Sequence, residues 1–182
     1  MDIAVIYESI FGNTKTVAEA IAEGARSADP DAHVTVLPAA EATPEKFEQA
    51  TLVVVGGPTH MLGMSRASSR AKAPEMTKKK TTGADVAAAP PRAVEGPGIR
   101  EWLDALPKTD GGHKAAAFDT RLPFPLAGGA ARPIARKLRR RGYSVVAGPK
   151  GFVVDEAEGP LRAGEQDRAK AWGAGLVRQA AR

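Results

Sequence analysis

The first 26 residues constrain this chain more than any other stretch. Ile3–Tyr7 is an apolar run of strand formers, short enough for a strand buried on both faces. A polar loop follows at once, Ser9–Thr14, carrying two hydroxyls, a glycine and an asparagine. Val17, Ala18, Ile21, Ala22 and Ala25 then recur at helical spacing, opposite Lys15, Glu19, Glu23 and Arg26. The order strand, tight loop, helix puts the loop where a helix presents unpaired backbone N–H groups, and such an end favours an anion. Gly12 lets the chain turn close to a ligand, and Ser9 and Thr14 add hydroxyl donors, so the stretch reads as a phosphate nest. An ordinary turn capped by Asn13 or Thr14 uses the same residue types. The Walker A spacing and the GxGxxG fingerprint are both absent, since the loop has one glycine.

Composition narrows the chemistry. With 182 residues, 43% of them hydrophobic, the chain is long enough for a real core and belongs with globular proteins. It has no cysteine, which removes disulfides, thiol nucleophiles and thiolate or iron–sulfur ligation. The three histidines, His33, His60 and His113, are scattered, which argues against a histidine metal cluster. Electron chemistry in such a chain calls for a bound organic cofactor. No apolar run reaches membrane-spanning length and no basic-then-apolar leader precedes the first strand, so the expectation is a cytoplasmic protein without a membrane partner.

Taken in order, the remaining pattern alternates strands and helices. Strands are expected at His33–Leu37, Thr51–Val55, Lys114–Phe118, and a fifth across Ser144–Ala147 and Gly151–Val154, interrupted by Gly148-Pro149. Helices are expected at Pro44–Gln49, from Gly98 with Ile99, Trp102, Leu103 and Leu106 on one face, from Pro133 with Ile134 and Leu138 inward, and at about Glu165–Ala181. Thr59–Gly96 is irregular, which gives one domain with an insertion at about 65–96. The alternation implies an α/β fold, an open doubly wound parallel sheet of about five strands with helices on both faces. The loops after the first, third and fourth strands then share one rim: Ser9–Thr14, Pro58–Met64 and Asp119–Gly129.

Those residues resemble the flavodoxin family. Its phosphate loop reads approximately Ser/Thr-x-Thr-Gly-Asn-Thr and stands here as Ser9-Ile10-Phe11-Gly12-Asn13-Thr14, with Phe11 replacing the hydroxyl residue. Gly56-Gly57-Pro58-Thr59-His60 is similar to the family's second flavin loop, and Gly151–Val154, Gly159-Pro160-Leu161 and Gly164-Glu165 also match flavodoxin-like sequences. The resemblance implies strand order 2-1-3-4-5 and a ligand outside the carboxyl ends of the strands, a rule framed in part on flavodoxins themselves. It further implies FMN held without a covalent bond. Ser9, Gly12, Asn13 and Thr14, with the backbone of Ile10 and Phe11, would take the phosphate. Pro58, Thr59, His60, Met61 and Gly63, with Asp119, Thr120 and Arg121, would wall the isoalloxazine ring, and no catalytic side chain is needed.

The implied function is a small electron carrier working between redox proteins. Two alternatives stand beside it: an FMN-dependent NAD(P)H:quinone or flavin reductase, and a flavin-free module using the fold to bind an anionic partner. The second loop offers His60 and Met61 where many flavodoxins place Trp or Tyr, and the third offers only Phe124. Asp119 could equally cap a turn or helix, and Trp102 and Trp172 read as core. The chain is net +5, unlike the typically acidic family. Arg66–Lys80 carries six basic and one acidic residue, a basic arm suited to steering an acidic redox partner or a phosphate-bearing substrate. Arg136–Arg141 ends a helix, where cations offset the dipole, and reads as a solvated cap. Aromatics are not interleaved with these basic runs, which weighs against nucleic acid.

Overall fold

The computed structural model describes residues 1–60, 63–65, 96–110, 112–124 and 128–182. The basic arm Arg66–Lys80 and Met61 lie outside these described residues. β1 (Asp2–Tyr7) leads through the polar loop into α1 (Asn13–Ala28), and β2 (His33–Pro38) returns parallel beside β1. A single 3-10 turn, Pro44–Lys46, stands where a short α-helix was expected. β3 (Leu52–His60) pairs parallel with the other side of β1 and ends in a ribbon with the antiparallel β4 (Gly63–Met64). α2 (Ile99–Ala105), β5 (Lys114–Arg121), α3 (Ala131–Arg140), β6 (Ser144–Val145), β7 (Lys150–Val153) and α4 (Glu165–Ala180) complete the chain.

The sheet runs β2-β1-β3-β5-β6, with β7 also on β5. β6 pairs the start of β5 and β7 its end, so together they form the interrupted fifth strand and the expected order is met. The third and fourth strands run further than expected, because β3 and β5 stay paired through Gly57↔Asp119 and Pro58↔Thr120. Pro58–His60 and Asp119–Arg121 are therefore strand ends rather than free loops.

Two cores sandwich the sheet. On one face Ile6, Val53, Val55, Ala115 and Ala117 pack under α2 and α3, with Ile99, Leu103, Ile134 and Leu138 fully buried. Trp102 belongs to this core, its indole N–H donating to Ala42 O at 2.7 Å and its ring 5.5 Å from Phe47. On the other face Val5, Val54, Ala116 and Phe118 pack under α1 and α4. Phe118, Phe152 and Trp172 meet edge to face there, at ring separations of 6.1 to 6.4 Å. A Cβ on Gly24 would run into the backbone of Lys170, and one on Gly173 into that of Ile21. These glycines let α1 and α4 approach backbone to backbone through the second half of α1.

Candidate functional site

All the parallel strands deliver their carboxyl ends to one rim, and the loop after β1 lies at its centre. Gly12 stands just before α1 with φ +89°, a left-handed conformation that admits glycine readily, and a Cβ there would meet nothing within 4 Å. The conformation itself therefore calls for glycine, apart from the close approach to a ligand expected of this position. α1 has no side-chain cap at its N-terminus and no acidic residue in its first turn. Thr16 N–H begins the helical ladder on Gly12 O at 3.0 Å. The backbone N–H groups of Ser9 to Lys15 find no acceptor among the described residues. The Ser9 Oγ is itself buried and without a partner.

The side chains after Gly12 are tied to the neighbouring strand ends. Thr14 and Thr120, 2% and 5% exposed, share a hydroxyl–hydroxyl hydrogen bond of 2.8 Å that links α1 to β5. Asn13 Nδ2 donates to Glu158 O at 2.9 Å, in a hairpin after β7 closed by the Val154↔Leu161 bridge. That amide also fills the space a side chain would take on Gly159. The Gly159–Leu161 stretch thus lies against the loop of Asn13, although the two are far apart in sequence.

The other two helices that start at the rim have their N-termini satisfied from strand ends. Glu8, 2% exposed, accepts from the Ile99 N–H at 2.8 Å through one oxygen and from the Ser65 hydroxyl through the other. Gly98 has no side chain to cap α2, so Glu8 does this from β1, while Glu101 accepts from the Gly98 N–H at 3.0 Å. Arg100 extends the tie by donating to Met64 O and Ser65 O, at 2.9 and 3.1 Å. Sequence reasoning passed over Glu8, Ser65 and Arg100. The available signal was an acidic residue directly after a buried strand, at the rim.

At α3 the same is done by Asp119, whose Oδ2 accepts from the Ala131 N–H at 2.8 Å, and by Thr59, whose Oγ accepts from the Ala130 N–H at 3.1 Å. Asp119 is fully buried, and its Oδ1 has the Arg121 Nε at 3.5 Å but no hydrogen bond. Burial pushes this carboxyl above the usual aspartate range, against the pull of Ala131, Arg121, Ala130 and Thr59. The Arg121 guanidinium lies where a side chain on Gly151 would sit and reaches Gly128 O at 3.4 Å. The three residues of this strand end are thus divided: Thr120 joins the loop after β1, and Asp119 and Arg121 join the start of α3. Pro58, His60 and Gly63 are half-buried at the β3–β4 ribbon, where His60 pairs with Gly63. Burial lowers the His60 imidazole below the usual histidine range, with the Glu8 charge opposing it.

The fold and this rim define an open, doubly wound α/β protein with one helix N-terminus left uncapped among the strand ends. The flavodoxin family model matches residues 5–102, more than half of the chain, and the chain belongs to the flavodoxin family. Flavodoxins typically bind FMN and pass electrons to redox partners. Solved structures with the same fold include a flavodoxin from the domain Archaea, 21% identical with a TM-score of 0.66 over all of both chains. Oxidised flavodoxin 1 of Bacillus cereus is 18% identical with a TM-score of 0.65 over 98% of each chain. The Flv1 flavodiiron core of Synechocystis sp. PCC6803 is 18% identical with a TM-score of 0.62, over all of this chain and 36% of that one. No curated protein matches the chain. No helix among the described residues is long and apolar enough to cross a membrane.

Proposed function

We propose that the chain binds FMN at this rim and carries electrons between redox proteins. The observation that carries the reading is the contrast between helix starts. Glu8 and Asp119 close α2 and α3, while the N–H groups of Ser9 to Lys15 and the buried Ser9 Oγ stay unclaimed around an open Gly12. A dianionic phosphate satisfies such a set, and no Lys or Arg in the loop competes with the backbone dipoles.

In this reading Ser9, Ile10, Phe11, Gly12, Asn13 and Thr14 hold the phosphate, the first and last adding hydroxyl donors. Thr120 supports Thr14 from below. Pro58, His60 and Gly63 wall the ring on the β3 side, together with Met61. Thr59 and Asp119 keep the start of α3 in place, and Arg121 borders the same wall. FMN, when bound, supplies one- and two-electron redox chemistry, and the chain's residues supply position and environment. Glu8 fixes the distance between the phosphate loop and the β3–β4 ribbon by bonding both Ser65 and the start of α2.

The test is titration of the apoprotein with FMN and with riboflavin, followed by flavin fluorescence. Saturable FMN binding far tighter than riboflavin binding supports the reading; no FMN binding overturns it. NAD(P)H oxidation by the purified holoprotein alone would transfer the assignment to a reductase.

A further inference from the structure

We infer that the outer face of α3 is a docking surface for an acidic partner protein, an inference that rests on the carrier reading and names its partner. Arg132, Arg136, Arg139 and Arg140 are all exposed and fall on one face, at spacings of three, four, seven and eight residues. Arg132 to Arg140 spans about 12 Å at roughly 1.5 Å per residue. None of the four has an ion pair or hydrogen bond among the described residues. The neighbouring Lys137 and Arg141 differ, because both are held by Asp104 of α2. The expected solvated cap therefore describes only part of the run.

The last-turn arginines Arg139 and Arg140 suit the helix dipole, but the stripe as a whole is more than the dipole requires. Like charges three and four residues apart repel along the face, and α3 contains no acidic residue to relieve them. Arg132 stands in the first turn, where the dipole disfavours a cation. Four exposed like charges with no partner on their own chain match carboxylates on another molecule. The stripe starts beside the rim, where Thr59 and Asp119 fasten the first residues of α3, and runs from Arg132 away from it toward Arg140. The connection from β5 into α3 also carries Phe124, 53% exposed and the one large hydrophobic residue so exposed among those described. Aromatic residues and arginine are both enriched at protein interfaces. The stripe itself offers no aromatic residue on which bases could stack.

The experiment uses the full chain loaded with FMN and a plant-type ferredoxin as the acidic probe, with a 20-base-pair DNA duplex in parallel. Arg136, Arg139 and Arg140 are changed to Ser in one variant, and Lys46, Arg178 and Arg182 in another. Both lose three charges from +5, leaving +2. Wild type is expected to bind ferredoxin with an affinity that falls as salt rises. The α3 variant is expected to lose about 10-fold or more at low salt, and the charge-matched variant less than about 3-fold. Equal losses in both, no ferredoxin binding, or tighter binding of the duplex than of ferredoxin would overturn the inference. FMN titration of the same proteins separates the two readings: unchanged FMN affinity in the α3 variant with lost ferredoxin binding supports the docking surface. Absence of FMN binding in wild type sinks the carrier reading instead.

Discussion

The Thr14–Thr120 pair gives the sharpest test of how the rim holds an anion. Each hydroxyl has one proton to donate, so in the 2.8 Å contact one of them keeps its proton free. If Thr120 donates, the Thr14 proton is available at the open end of α1. Thr14→Val then removes a hydrogen bond to a charged group, about 1.5–3 kcal/mol. That is roughly 10- to 150-fold in FMN affinity, at about 1.4 kcal/mol per decade. Riboflavin, which has no phosphate, should bind both proteins alike. Thr120→Val behaves differently, because it takes away the donor to the Thr14 oxygen and leaves the Thr14 proton free for the phosphate. Leaving that buried oxygen unpaired costs about 1–3 kcal/mol. In a chain of this size this lowers the apoprotein melting temperature by roughly 2–12 °C, at about 2–4 °C per kcal/mol. The phosphate accepts the Thr14 proton in both proteins and cannot replace the lost Thr120 donor, so FMN should stabilise Thr120→Val about as much as it stabilises wild type. The assays are flavin-fluorescence titration with both flavins and thermal unfolding with and without FMN. A Thr14→Val protein that keeps wild-type FMN affinity would refute the donor assignment and leave Thr14 a purely structural link.

Three further outcomes follow from the same geometry. Gly12→Ala should cost about 1–2 kcal/mol in urea unfolding from backbone strain alone, and Gly12→Asn less, since a Cβ there meets open space at φ +89°; an Ala variant as stable as wild type would remove the conformational requirement. Glu8→Ala removes the acceptor of the buried Ile99 N–H and the tie to Ser65, so a loss of about 1–3 kcal/mol is expected from the unpaired N–H, measured by urea unfolding; a loss under about 0.5 kcal/mol would mean that the tie is not structural. His60 has a folded pKa below 6.5, so the unfolded chain binds the extra proton first, and its contribution to stability falls as pH drops from about 6.5 toward that lower value. His60→Gln should therefore flatten the acid side of the stability curve relative to wild type between about pH 7 and pH 5, and parallel curves would contradict the burial of the ring.

What the sequence made legible was local. The strand–loop–helix at the N-terminus announces itself because the apolar run, Gly12 and the helical stripe from Val17 are adjacent; the alternation of elements gave the parallel sheet, and the family resemblance gave its order. The ends of β3 and β5 were not legible. Gly56-Gly57-Pro58 has the composition of a terminator, yet β5 supplies a paired partner as far as Pro58↔Thr120, and pairing across 62 positions leaves no mark in a local window. Glu8 was missed for the same reason, its two partners lying 57 and 91 residues downstream. The short helix expected over Pro44–Gln49 shrank to a 3-10 turn, since only Phe47 and Ala50 are buried there and too few apolar positions remain to hold a longer helix against the sheet. The site residues were grouped by proximity in sequence, whereas a strand alternates its faces, which sends Thr120 to α1 and Asp119 to α3.

The rim also explains why its open position lies at α1 rather than elsewhere. None of the four helices is capped by its own N-cap side chain. For α2 and α3 the deficit is made good by carboxylates from the ends of β1 and β5, each buried and each aimed at the first N–H of the helix. α4 carries Glu165 and Asp167 in its first turn, so an external anion there meets like charge. Glu165 is further committed to the Val153 N–H and to Arg168, which hold its carboxyl below the usual range despite burial. Among the described helices only α1 keeps both its free donors and a first turn without acidic residues. Because Glu8 belongs to the same loop and fastens α2, the residue that closes one helix end also holds the shape of the end left open. The proposed anion site is therefore the remainder after the fold has satisfied the other described helix termini, which would make it specific in position although its donors are mostly backbone.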